Sequence, residues 1–194
     1  QKEIIEDILN STKFLKNMVD NFLCKSKLEN NKIELVKKMY SLNDIAKLCM
    51  ETAEYVLTPK NQKFKFQESE NKVTVPIDAL EITRVVNNLI ANASQYAPEN
   101  SIIEVNVFAQ NEEFACISVR DYGRGIELEK QKDIFVQYMS YAKQYKRIGT
   151  GLGLYISKKI VEAHNGEISV ESELGKGTKI TIKLPFNDIC ISSD

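Results

Sequence analysis

The sequence predicts a two-layer α/β sandwich preceded by a long helix. Segments such as "SIIEVNVFAQ" (101–110) and "GTKITIKLP" (177–185) alternate apolar and polar residues with the period of half-buried strands. Segments such as "EITRVVNNLIANASQY" (81–96) place apolar residues every three or four positions, the period of a helix with one buried face. Runs of strands stand beside separate helices, the order of a sheet covered by a helical layer.

Taken in order, residues 1–28 contain neither Gly nor Pro, and Ile5, Ile8, Thr12, Leu15, Val19 and Phe22 recur at alternating steps of three and four. That is the seam of a coiled coil or helical bundle; an amphipathic helix packed on its own domain is the other reading. "KLENNKIEL" (27–35) breaks this helix with paired asparagines and marks a hinge. "IELVKKMY" (33–40) predicts a short strand, and Ser41 with Asp44 resembles a capping box opening a helix with Ile45, Leu48, Cys49, Ala53 and Val56 inside. "QKFKFQ" and "KVTVP" read as two strands, and Asp78 with Glu81 caps a second helix that runs to about Tyr96, with Pro98 ending it. "SIIEVNVFAQ" and "FACISVRD" form a hairpin through "NEE". Residues 127–148 have no clear period. A third helix spans roughly 151–164, and a Gly-Lys-Gly turn joins the strands "GEISVES" and "GTKITIKLP". The organisation expected is a helical segment at 1–30, one globular unit at 31–187 and a tail at 188–194.

Composition narrows the functional classes. The 194 residues are 43% apolar, enough for a core, and 26 basic against 27 acidic side chains leave a net charge of −1. No overall field favours nucleic acid or an anionic membrane, and no apolar run is long enough to span a bilayer. The chain opens "QKEII", without Met or a signal-peptide pattern, and so reads as a piece of something longer. Cys24, Cys49, Cys116 and Cys190 lie far apart with no CxxC, which points away from metal ligation and towards a reduced, cytoplasmic setting.

Four short motifs could carry chemistry. In "VVNNLIANASQYAP", Asn88 and Asn92 are four apart and project from one helix face. An amide carbonyl can complete the shell of a Mg²⁺ held mainly by water and phosphate; two polar residues at a solvated position are the plainer alternative. In "VRDYGRGI" a strand ends at Asp121, and Gly123 and Gly125 let backbone approach a ligand. A carboxylate at a strand end can accept from an exocyclic amine such as that of adenine; a surface turn is the alternative. In "GTGLGL", Gly149, Gly151 and Gly153 line the entrance of a helix, where free N–H groups and the helix dipole attract phosphate. The spacing fits neither the P-loop nor the dinucleotide-binding fingerprint. "GKGT" sets Thr178 just after a tight turn.

In that fixed order the motifs resemble the ATP-binding domain of sensor histidine kinases, in the wider group with gyrase, mismatch-repair ATPases and a heat-shock chaperone. "NNLIANASQY" resembles their N box, "DYGRGI" and "GTGLGL" their glycine boxes, and "IFVQYM" their F box, over about residues 30–185. The resemblance implies a Bergerat-type fold, with a mixed sheet and helices on one face. It implies Mg-ATP as the nucleotide, with Asn92 on the Mg²⁺ and Asn88 lining the same site. Asp121 would read the adenine amine, with Gly123, Gly125 and Ile126 beside the base and Tyr96 flanking the nucleotide. Phe135 would anchor a lid, Gly149, Thr150, Gly151, Leu152, Gly153 and Leu154 would wrap the phosphates, and Thr178 would support the adenine through Asp121 or a water. The γ-phosphoryl would pass to a histidine and then to an aspartate of a response-regulator receiver domain, in a homodimer formed through the N-terminal helix. Residues 1–30 resemble the second helix of the hairpin that carries the acceptor histidine. The sole histidine, His164 in "EAHNG", is expected to be structural, as part of the domain surface.

Two departures matter. Gln95 stands where the family usually has Lys, so Lys143, Lys146 or Arg147 would have to bring the cation to the phosphates, and an Arg often found after the F-box Phe is replaced within "QYMSY". These departures favour the alternative, a non-catalytic ATP-binding module. Gyrase-like ATPases also have Glu at the position of Asn88; an amide cannot accept a proton at neutral pH, so the site is equipped for transfer rather than hydrolysis.

Overall fold

The computed structural model describes residues 12, 19, 21–23, 26, 34–69, 73–137 and 151–187. Of the predicted N-terminal seam, Thr12, Val19 and Phe22 are helical and exposed, while Ile5, Ile8 and Leu15 lie outside the described residues.

Strand β1 (Lys38–Ser41) leads directly into helix α1 (Leu42–Leu57). The Ser41 side chain accepts from the Asp44 N–H and caps α1, as the sequence predicts. Strand β1 is shorter than expected, because residues 34–37 are not in a strand. It pairs antiparallel with β3 (Thr74–Ile77) as a separate ribbon. A 3-10 turn (Thr58–Lys60) and β2 (Lys63–Gln67) separate α1 from that partner strand. Then follow α2 (Ala79–Tyr96), the hairpin β4 (Ile102–Gln110) and β5 (Phe114–Asp121), the single turn α3 (Leu128–Gln131), α4 (Gly153–Ala163), and the hairpin β6 (Glu167–Glu173) and β7 (Gly177–Pro185).

The main sheet has the order β2-β4-β5-β7-β6. Strands β2 and β4 run parallel and the other neighbours antiparallel, so the sheet is mixed. Its inner face carries Val105, Val119 and Ile180 in one cross-strand row and Val107, Ile117 and Ile182 in the next. These bury against Leu89 and Ile90 of α2 and Ile156 and Ile160 of α4. The outer face is polar. Lys65, Glu104, Arg120, Lys179 and Glu171 stand side by side across all five strands, with Lys65–Glu104 ion-paired at 2.6 Å and Lys179–Glu171 at 3.1 Å. That charged row explains why the helices gather on one face only.

Of the residues predicted inside α1, Ile45, Cys49 and Ala53 are buried and Val56 packs partly against the core, but Leu48 is 49% exposed. The inward stripe instead uses Leu42, Ala46 and Leu57, so the helical phase is turned away from Leu48.

Both ends of α2 are tightly held, which fixes the helix that bears the two asparagines. At its start the Asp78 carboxylate accepts from the N–H groups of Leu80 and Glu81, and also from Val36. At its end Lys60 Nζ donates to the carbonyls of Ser94, Gln95 and Ala97 at 2.6, 2.9 and 3.0 Å. The buried Gln62 amide donates to Ser94 and Pro98 carbonyls. Orphan carbonyls of a helix end are thereby satisfied by side chains.

His164 is structural, as expected, but it is not on the surface: it is only 1% exposed. Its Nε2 accepts from the Asp78 N–H at 3.0 Å, so the proton sits on Nδ1, which donates to the Ile160 carbonyl at 2.7 Å. The ring thus pins the end of α4 to the start of α2. Replacing His164 by Ala is expected to cost about 3 kcal/mol, from a cavity and lost hydrogen bonds. Urea unfolding of the variant measures this.

Candidate functional site

The inner face of the sheet changes character at one end. One step beyond the apolar row Val119–Ile180–Val170 comes the row Asp121–Thr178–Ser172, directly opposed across β5, β7 and β6. Side chains opposed in a ladder share a face, so a carboxylate and two hydroxyls extend the core surface into a polar pocket wall. Asp121 is 6% exposed. Its Oδ1 accepts from the Gly123 N–H at 2.8 Å. Burial pushes its carboxyl above the ordinary aspartate range, and the Gly123 and Thr178 N–H groups and Arg120 partly oppose that shift.

The Thr178 hydroxyl is turned to Ser172 at 2.9 Å. Ser172 Oγ donates its single proton to the Gly177 carbonyl at 2.9 Å and accepts from the Ile126 N–H at 2.8 Å, so Thr178 is the donor to it. Gln131 from α3 bridges the Ile126 and Ser172 carbonyls. Ile126, predicted beside the base, is therefore held by Ser172. Ser172 is not among the residues that the sequence motifs single out. Its signal was present, because the Gly-Lys-Gly turn sets Ser172 opposite Thr178.

Helix α2 supplies the second wall. Asn88, Asn92 and Tyr96 follow at four-residue steps on one face and are half-buried. Asn88 Nδ2 donates to Ser157 Oγ of α4 at 2.9 Å. A Cβ on Gly153 would overlap the Asn88 side-chain oxygen, so the first residue of α4 lies directly on that amide. The contact joins the N-box asparagine to the glycine loop's exit, and a Cβ at position 153 would require the Asn88 amide to shift. Gln95 is half-buried, Leu152 is buried as the residue preceding α4, and Leu154 packs partly against the core. Phe135 also packs there, beside the buried Ile134. Gly151 opens the described part of the glycine loop. Lys143, Lys146, Arg147, Gly149 and Thr150 lie outside the described residues.

Among the described residues, no group of three or more His, Cys, Asp and Glu could hold a metal ion. A cation at Asn92 would take most of its shell from phosphate and water, which suits Mg²⁺. Burial pushes the Cys49 thiol up to about 12 and that of Cys116 to about 11, so neither is a nucleophile at neutral pH. Among the described residues no helix is long and apolar enough to cross a membrane.

Residues 77–188 match the family described as histidine kinase-, DNA gyrase B- and HSP90-like ATPase, more than half of the chain. The chain belongs to this family. The sensor histidine kinase WalK of Bacillus subtilis is 32% identical over 184 residues, spanning 92% of this chain and 30% of WalK. The adaptive-response sensory kinase SasA of a Synechococcus strain is 32% identical over 149 residues, 75% of this chain and 40% of SasA. The chain thus spans well under half the length of these relatives. The catalytic domain of the histidine kinase ThkA superposes with a TM-score of 0.69 at 28% identity, over 80% of this chain and 98% of that domain. Family membership accounts for the order of the motifs: the N-box helix, the strand ending in Asp121, the glycine loop and the final hairpin are the parts of one ATP-binding domain.

Proposed function

We propose that residues 31–187 are the ATP-binding catalytic domain of a sensor histidine kinase, and that residues 1–30 belong to its dimerisation hairpin. The observation that carries the proposal is the meeting of Asn88, Gly153 and Ser157, which brings the N-box helix against the exit of the glycine loop. Asp121 accepts from the adenine amine, with Thr178 and Ser172 holding the loop beside it. Asn92 would hold Mg²⁺ through its amide oxygen, and Asn88 orients the start of α4 rather than taking a proton. Bound Mg²⁺ supplies neutralisation of phosphate charge, and positioning does most of the remaining work in phosphoryl transfer. The acceptor is a histidine outside these 194 residues, since His164 has both ring nitrogens engaged in the core. A receiver-domain aspartate of a response regulator takes the phosphoryl group next; this part of the protein works in the cytoplasm, and the full-length protein is a homodimer formed through the N-terminal helix.

Two measurements test this. Calorimetric titration of the chain with ATP should show binding that strengthens with Mg²⁺. Incubation with labelled ATP should leave no acid-labile phosphate on the chain itself, and should label a histidine on a supplied acceptor hairpin. Binding without labelling of the hairpin would favour the regulatory module, the reading to which Gln95 lends support.

A further inference from the structure

We infer that Ser172 is a positioning residue for base selection: it holds the Thr178 hydroxyl with its proton turned away from the base, so that this wall of the pocket accepts from a 6-amino purine and opposes a 6-oxo purine. The inference rests on the Mg-ATP reading above.

The direction follows from the protons available. The Gly177 carbonyl can only accept, so its 2.9 Å bond with Ser172 Oγ uses the one proton of that hydroxyl. The Ile126 N–H at 2.8 Å and the Thr178 hydroxyl at 2.9 Å then occupy both lone pairs of Ser172 Oγ. Thr178 thus donates its own proton to Ser172 and has only lone pairs left for a ligand.

Thr178 stands directly opposite Asp121 in the β5–β7 ladder. Side chains so opposed share a face, with Cβ atoms about 5 Å apart. An ionised carboxylate also only accepts. An exocyclic amine has two protons to give to such a pair, whereas a carbonyl oxygen has none.

The loop beside this wall does not depend on the Ser172 hydroxyl alone. Gln131 Nε2 donates to the main-chain carbonyls of Ile126 and Ser172, both at 2.9 Å, and these bonds survive removal of the Ser172 side chain. Without the serine acceptor, the Thr178 hydroxyl can rotate and donate to a 6-oxo group.

Calorimetry at neutral pH with the Mg²⁺ complexes of ATP and inosine triphosphate tests this on the unmodified chain, S172A, S172T, T178V and S172A/T178V. The unmodified chain should prefer ATP about 100-fold, and S172A should narrow that preference about 10-fold, the scale of one hydrogen bond. S172T retains a hydroxyl and should retain the preference. In the T178V background, S172A should leave the ratio of the two affinities unchanged, because the hydroxyl it would release is gone. A merely structural Ser172 would lower both affinities together. No preference in the unmodified chain, an unchanged ratio in S172A, or the same narrowing with and without the Thr178 hydroxyl overturns the inference while nucleotide binding stands. Failure of the unmodified chain to bind ATP overturns the nucleotide reading, and the inference with it. A circular-dichroism melt checks that each variant is folded. If S172A is not, S172C decides, because a thiol accepts only weakly: a narrowed ratio supports the inference and an unchanged one overturns it.

Discussion

Replacing Asp121 by Asn should weaken ATP binding on the order of 100-fold, about 3 kcal/mol, without loss of folding stability. The two effects separate because of where the carboxylate sits. Its oxygens face the Gly123 and Thr178 N–H groups, and the group is almost fully buried. An amide in its place presents an NH₂ to a ligand amine, donor against donor. The same exchange removes a desolvated charge, so the unliganded fold loses little.

The pH dependence of this group should show opposite signs for stability and binding. Burial raises the carboxyl above its unfolded value, so the native state holds the proton more tightly. Its contribution to unliganded stability is greatest in acid and falls as pH rises through the shifted value. On the proposed reading ATP binding needs the carboxylate, so affinity should rise over that same window and be lost on acidification sooner than an ordinary aspartate would allow. Affinity measured from pH 4 to 7 for the wild-type chain and D121N checks this, as the variant should lack that step.

Replacing Gly177 by Ala should destabilise the domain by about 3 kcal/mol or more and lower ATP affinity with it. Gly177 has φ +91°, and a Cβ there would overlap the Asp121 carbonyl and crowd the Tyr122 Cα. Relief of that overlap must move the backbone that aims the Asp121 carboxylate. Gly175, two residues earlier, has φ +77° but open space around a Cβ. Gly175→Ala should therefore cost only the backbone strain, about 1 kcal/mol, with ATP affinity unchanged. Paired urea titrations separate the collision from the dihedral. Equal losses in the two variants would show that the contact with Asp121 is unimportant.

Several features are legible in the sequence because they are local. Asp78 caps α2 with its own side chain, and Ser41 caps α1, both within three residues of the donors they satisfy. Alternation located the β4–β5 and β6–β7 hairpins, and the helical period located α2 and α4. The exposed Leu48 shows the limit of that method: an apolar residue at a plausible helical position does not reveal which stripe the neighbours will cover.

Sequence alone determined the order of the motifs, the caps and the family, because these depend on residue types at short separations. Tertiary structure alone decided that His164 is buried against Asp78, 86 residues away, and that Ser157 meets Asn88 across 69 residues. It also decided that Ser172 holds Ile126 from 46 residues away and that Arg124 stacks on Tyr96. Each of those contacts is fixed by how α2, α4 and the sheet edge pack together, and packing of distant segments leaves no trace in local periodicity.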